Sequence, residues 1–147
     1  MRVFPCEYVG FRPLSVERCH AERMEQLLLH AIGDYITQTE WMARRKLQHM
    51  GAALVHATVY ALPFWLLSPS WAAWLTIWGT HAVIDHFDLA RHLSFAKNWL
   101  TQPGLKWADC QATGYPPSVE PWKAFWLKVI TDNVMHLCIN YAALRWL

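Results

Sequence analysis

Charge is scarce in this 147-residue chain: Asp, Glu, Lys and Arg make up 16% of it, where soluble domains carry about a quarter. So few charges cannot clothe the surface of an ordinary water-soluble domain. The net charge of +2 is too small to hold a polyanion, and there is no Gly-rich phosphate loop, Walker pattern or basic–aromatic array. Nucleic acid is therefore not an expected partner. Cysteine pairs are missing as well. Cys6, Cys19, Cys110 and Cys138 are scattered with no CxxC, and they read as free thiols; a disulfide would need two of them on an oxidising side. Residues 1–23 hold four arginines, Pro5 and Pro13 and lack the apolar core of a secretory signal peptide.

What the chain has instead is apolar surface. Hydrophobic residues make up 54%, and there are 10 tryptophans, a residue that favours membrane–water interfaces. The length suits one domain. The expected class is an integral membrane protein.

Four helical stretches are predicted, at residues 24–43, 51–67, 71–90 and 122–147. A spanning helix needs about 20 mainly apolar residues, which the last three approach; the first has a polar face. Pro63 should kink the second stretch, and SPS at residues 68–70 makes a tight turn to the third. Residues 91–121 read as a long loop, broken by Pro103, Gly104, Gly114, Pro116, Pro117 and Pro121. The fold class is all-α, a polytopic membrane four-helix bundle with that loop between helices three and four. Residues 1–23 read as a polar leader or a start-site artefact, and residues 24–147 as the single membrane domain. Arg44, Arg45 and Lys46 follow the first stretch, while Arg91, Lys97, Lys106 and Lys123 flank the loop. The positive-inside rule puts both connections in the cytoplasm.

The apolar stretches carry an unusual set of polar residues. HAIGD spans His30 to Asp34, HAVID spans His81 to Asp85, and DNVMH spans Asp132 to His136. Each is a His/Asp pair four residues apart, the spacing that puts two side chains on one helical face. In an up-down bundle, helices one and three run together and read His then Asp; helix four runs oppositely and reads Asp then His. Antiparallel placement therefore predicts Asp34, Asp85 and Asp132 in one layer. His30, His81 and His136 then form a second layer one turn away, ~5–6 Å. His56 joins from helix two. Asp34, Asp85, Asp132 and His56 lie within ten residues of the same end of the bundle, ~8–15 Å below one surface.

Three carboxylates would repel one another unless a cation or protons intervened. Imidazole and carboxylate suit zinc, and also manganese or iron. His30, Asp34, His56, His81, Asp85, Asp132 and His136 are the candidate ligands, enough for one or two divalent ions, as in di-metal carboxylate bundles. Asp34, Asp85 and Asp132 are the candidate catalytic groups. The bland alternative is a metal-free polar network or proton path. Gln38, Asn140 and Tyr60, each a turn from a ligand, are candidate supporting partners; plain packing serves them equally well. Asp88 and His92 read as a solvated helix end, His86 as pointing away from Asp85, and His20 and His49 as solvated. Trp99, Trp107, Trp122 and Trp126 are expected in an interfacial belt, and Arg44, Arg45 and Lys46 as setters of topology. Tyr35, Glu40 and Trp41 receive no chemistry.

HAIGDYITQTEWMA, GAALVHATVYALPF, THAVIDHF, KWADCQATGYPP and DNVMHLCINYAAL resemble a family of small integral-membrane proteins of bacteriophages and bacteria with no established function. The resemblance covers nearly all of the chain from Met24 onward. More distantly, the His/Asp pattern is similar to inner-membrane proteins described as metal-dependent hydrolases. That likeness implies metal-assisted hydrolysis of a lipid-like or lipid-linked substrate. It leaves phosphate ester, amide and carboxylic ester level. A non-enzymatic membrane protein with a structural polar cluster, and a metal-ion or proton pathway, are the competing expectations. The apolar outer halves of helices two and three, TVYALPFWLL and WAAWLTIW, count against a through-path.

Overall fold

The computed structural model describes residues 16–147, with side chains from Met24 onward. Among the described residues the chain is all-helical, with no strand. Helix α1 (Val16–Ala31) runs into a π-helical turn (Ile32–Ile36), and short α2 (Glu40–Arg45) follows. Helix α3 (Met50–Ala61) tightens into a 3₁₀ turn (Leu62–Leu67). Then come α4 (Trp71–Phe87), α5 (Leu89–Thr101), the single-turn α6 (Trp107–Cys110) and α7 (Pro121–Trp146). Helix α3 packs on α4, α4 on α7, and α1 and α5 on α7. The expected division at Met24 falls inside α1; residues 1–15 of the expected leader lie outside the described residues. So do Cys6 and the side chains of Cys19 and His20, while Cys110 and Cys138 are free thiols.

Two expectations about the helices need correction. The first stretch is not one helix. At Thr37 the amide bonds back five residues to the Ile32 carbonyl, 2.9 Å, the register of a π turn, which often sits at functional sites. Polar side chains take up the freed carbonyls: Thr37 Oγ1 donates to Gly33 O at 3.0 Å and Gln38 Nε2 to Asp34 O at 3.1 Å. Thr39 then caps α2, its hydroxyl accepting from the Met42 amide. Nor is the region after the third stretch an open loop. Asp88 adopts the left-handed conformation (φ 49°) and ends α4, a conformation that Asp tolerates better than most residues. The chain turns there and resumes as α5, whose segment LARHLSFAKNWLT holds neither Pro nor Gly. The breakers begin only at Pro103.

The buried stripes follow helical spacing. On α3 they are Ala52, Ala53, His56, Ala57, Tyr60 and Ala61; on α4, Ala73, Ile77, His81, Ala82, Ile84 and Asp85. Leu29, Tyr60, Ala61, Phe64, Ala73, Ile77 and Ala143 form the apolar core. The polar cluster continues the same stripes by one turn. Small residues dominate the helix contacts, so the helices approach closely and large apolar side chains are left outside. Leu62, Leu66, Trp71, Leu75, Ile130 and Val134 are all exposed. Among the described residues one stretch, Met50–Leu67, is long and apolar enough to cross a membrane, and 39% of it is buried within the protein. Helix α4, at 17 residues, is ~25 Å long, and α7 carries charged residues along its length.

The tryptophans fall into two sets. Trp65, Trp71, Trp74 and Trp78 form a ladder along the α3–α4 connection, with Trp74 and Trp78 stacked 7° from parallel. Trp74 Nε1 donates to Ala61 O and Trp78 Nε1 to Thr58 Oγ1, both at 3.0 Å. Trp99, Trp122 and Trp126 are exposed, but Trp107 stacks on His92 with the Arg91 guanidinium over its ring.

KWADCQATGYPP docks against α5. Gly114 has a φ of 79°, and a Cβ there would strike the Arg91 carbonyl, the Phe95 amide and Ser94 Cβ. Its carbonyl accepts from Asn98 Nδ2 at 2.9 Å. Gly114→Ala meets a forbidden φ and a filled site together. It is expected to cost about 1–3 kcal/mol or more, read as a fall in the thermal unfolding midpoint of the detergent-solubilised protein.

Candidate functional site

Asp85 sits at the centre of the polar cluster. Its Oδ2 lies 3.1 Å from His81 Nε2 and 3.3 Å from His56 Nε2, and its Oδ1 lies 3.6 Å from His136 Nε2. Asp34 Oδ1 stands 3.4 Å from both His56 Nε2 and His81 Nε2. Those two imidazole nitrogens are 3.1 Å apart. Asp132 reaches His136 Nε2 at 3.6 Å. The carboxylates and imidazoles thus interleave at their polar ends, and no separation into two layers survives there. Three groups of ligand atoms lie within 4.8 Å of one another: Asp34, His81 and His136; His56, His81 and Asp85; and Asp85, Asp132 and His136. His81, Asp85 and His136 each belong to two of these groups.

His30 stands beside the cluster, outside all three groups. Its Nε2 meets Asn133 Oδ1 at 2.8 Å and its Nδ1 meets Tyr60 Oη at 2.8 Å, with Asp34 Oδ2 farther away at 3.5 Å. With Oδ1 of Asn133 accepting, Nε2 carries the proton and Tyr60 donates to Nδ1. Tyr60 Oη in turn accepts from Asn140 Nδ2 at 2.6 Å. Both nitrogens of His30 are therefore spoken for, and its role is to fix Tyr60, whose ring stacks on His81 with centroids 3.6 Å apart. Asn140 acts through the same hydroxyl. Gln38 bonds the backbone of Asp34 and leaves the carboxylate alone.

Gly33 lets this happen. A Cβ at that position would overlap the Tyr60 ring, so the π turn brings Asp34 inward only because its neighbour has no side chain.

Two residues escaped the pattern of His/Asp pairs. Lys46, expected only to set topology, donates from Nζ to Asp85 Oδ2 at 3.0 Å. His86, pointing away from Asp85 as its spacing required, donates from Nδ1 to the Lys46 carbonyl at 2.9 Å and holds that segment over the site. Asn133 bonds His30, Tyr35 and the Val129 carbonyl; its place beside Asp132 was the available signal. Asp88 is not a solvated end: its carboxylate accepts from Lys128 Nζ at 2.6 Å and is largely buried. His92 is exposed against Trp107. A cavity of about 330 Å³ opens onto the cluster, lined by Asp34, Asp85 and Asp132, by Lys46 and Lys128, and by apolar side chains including Phe125 and Val129. Asp132, 27% exposed, is the most open of the three cluster carboxylates.

Several buried polar atoms here lack a hydrogen-bond partner: Asp34 Oδ1, His136 Nε2, and the Nδ1 atoms of His56 and His81. Buried polar groups are rarely left so. Asp34 and His136 belong together to one of the three ligand groups. Counted with neutral imidazoles, the cluster sets three carboxylates against the single ammonium of Lys46, a net −2 that one divalent cation would cancel. The donor set therefore fits a metal.

Fold and site together define a class: all-helical proteins with a buried His/Asp cluster that faces a cavity. Residues 23–111 match the family described as "Protein of unknown function (DUF3307)", and the chain belongs to that family. The matched segment contains Asp34, Lys46, His56, His81 and Asp85 and ends before α7, which supplies Asp132 and His136. No curated protein and no solved structure matches the chain.

Tyr60→Phe removes the hydroxyl that His30 and Asn140 share. It is expected to destabilise the protein by about 1–3 kcal/mol, measured by thermal or denaturant unfolding in mild detergent.

Proposed function

We propose that the chain is a metal-dependent hydrolase of the bacterial inner membrane, acting on a lipid-like or lipid-linked substrate. The observation that carries this reading is the convergence of five buried His and Asp side chains on one another, with orphaned ligand atoms among them, beside a cavity that Asp34, Asp85 and Asp132 line. One or two zinc, manganese or iron ions would supply the Lewis acid that makes water nucleophilic near neutral pH. His56, His81, His136, Asp34 and Asp85 would hold them, with Asp85 shared between groups. Asp132 faces the cavity and is the carboxylate best placed to take a proton from water. Lys46 compensates the buried charge of Asp85. His30, Tyr60, Asn133 and Asn140 hold the imidazoles in place.

A polytopic four-helix bundle, with α1, α3, α4 and α7 as its members, accounts for the large apolar side chains left on the outside. Its supporting stretch is Met50–Leu67. The apolar cavity wall at Phe125 and Val129 suits a substrate with an acyl or prenyl chain.

Lys46 against Asp85 favours a second reading, a structural polar cluster that locks the helices without metal. An ion or proton pathway is less well supported. Tyr60, Phe64 and Ile77, all fully buried, fill the interior next to the cluster and leave no polar route onward.

Elemental analysis decides between the first two. Protein purified in mild detergent without chelators is expected to hold roughly one or two equivalents of zinc, manganese or iron. His81→Ala combined with Asp85→Ala should lose most of it. Failure to take up any of these metals on reconstitution would transfer the argument to the structural cluster. Liposomes containing the protein are expected to show no metal- or pH-driven flux.

A further inference from the structure

The two lysines that line the cavity point to the chemistry of its ligand. Lys46 comes from the segment after α2 and Lys128 from α7, and they reach the same cavity from different elements. Each ammonium lies against a carboxylate at the end of α4: Lys46 Nζ on Asp85 Oδ2 at 3.0 Å, and Lys128 Nζ on Asp88 Oδ2 at 2.6 Å. Both side chains are partly exposed, 17% and 23%, so their flexible stems can turn toward a ligand. An amide or carboxylic ester is neutral and would gain little from two ammonium groups. A phosphate ester is a compact dianion, and lysine binds phosphate as a point charge. A volume of about 330 Å³ is at the small end of ligand pockets. It suits a phosphate head with the first part of an apolar chain against Phe125 and Val129.

We propose that this cavity binds a phosphate ester, with Lys46 and Lys128 holding its anionic oxygens beside the His/Asp cluster. The inference rests on the hydrolase reading for its chemistry but not for its binding test. In the reaction, the oxygen of water bonds to phosphorus and the phosphorus–oxygen bond to the alcohol breaks. One proton of water passes to Asp132, which hands it to the departing alkoxide. The products are an alcohol and inorganic phosphate, with no change of oxidation state. Asp85 is common to the ligand groups and to Lys46. Lys46 would be freer to turn toward the phosphate if a cation held by the cluster neutralised Asp85.

The test is calorimetric binding of inorganic phosphate to the full chain in mild detergent, both metal-loaded and chelator-treated, with metal content measured on the same samples. Lys128→Met and Lys46→Met are each expected to weaken binding about tenfold or more, and Lys128→Arg to recover most of it. Circular dichroism checks each variant, and Lys128→Met, at the more exposed site, carries the test if Lys46→Met fails to fold. A short-chain phosphatidic acid is compared with a short-chain phosphatidylcholine and with inorganic phosphate. Phosphatidic acid binding more tightly than free phosphate makes the ligand a lipid phosphate; the reverse order makes it a soluble phosphate ester. Either order supports the clamp if the lysine variants lose affinity. Wild-type protein that ignores phosphate, or lysine variants that bind it undiminished, would overturn the clamp even where metal is present. Lysine-dependent phosphate binding by protein that takes up no metal would leave the clamp standing and remove the metal centre.

Discussion

A buried carboxylate is costly unless charge and hydrogen bonds surround it, and Asp85 is buried almost completely. Its partners come from four directions: His81 from its own helix, His56 from α3, His136 from α7 and Lys46 from the segment before α3. Each contact fixes the position of a different element. The close approach of α3, α4 and α7 at this level is therefore an electrostatic requirement as much as a packing one. Removing one partner strands the rest, since His56 and His81 also face Asp34 and His136 also faces Asp132. A polar core of this kind gives little stability that an apolar one could not match.

The local architecture follows from delivering side chains to that point. A straight α1 would carry Asp34 past the cluster at ordinary helical register. The π turn adds a residue, and Gly33 allows the backbone against the Tyr60 ring. The break at Thr37–Thr39 then turns the chain so that Lys46 can come back over Asp85. At the other end of the site, the left-handed Asp88 separates α4 from α5 and lends its carboxylate to Lys128. Both irregularities sit at the cavity, in the places where helices give way to side chains that line it.

Helical period alone decides which side chains share a face, so the His/Asp pairs, the small-residue stripes and the all-helical class are legible in the chain. His81 with Asp85 and Asp132 with His136 need only a four-residue spacing to be read. Lys46 is not legible in that way, because its carboxylate is 39 residues distant and is reached only through a bend pinned by His86. His30 misleads for a related reason. Its spacing from Asp34 is right for a ligand, yet Tyr60 and Asn133 occupy both nitrogens, and those partners lie 30 and 103 residues away in the chain. Helix α5 is hidden by the Pro and Gly residues beyond it, which color the whole segment as loop although they begin only at Pro103. Local periodicity is read directly; ligand choice and helix breaks are settled by contacts across the fold.

The site also has a direction. On one side lie Phe64, Ile77 and the Trp65–Trp78 ladder, apolar and closely stacked. On the other lie the cavity, its two lysines and the carboxylates of Asp88 and Asp132. Tyr60 is the joint between them. Its ring belongs to the apolar core and covers His81, while its hydroxyl holds His30 and Asn140. Tyrosine thus covers the cluster on one side and charged side chains line it on the other, an asymmetry that follows from where a single aromatic side chain ends and its hydroxyl begins.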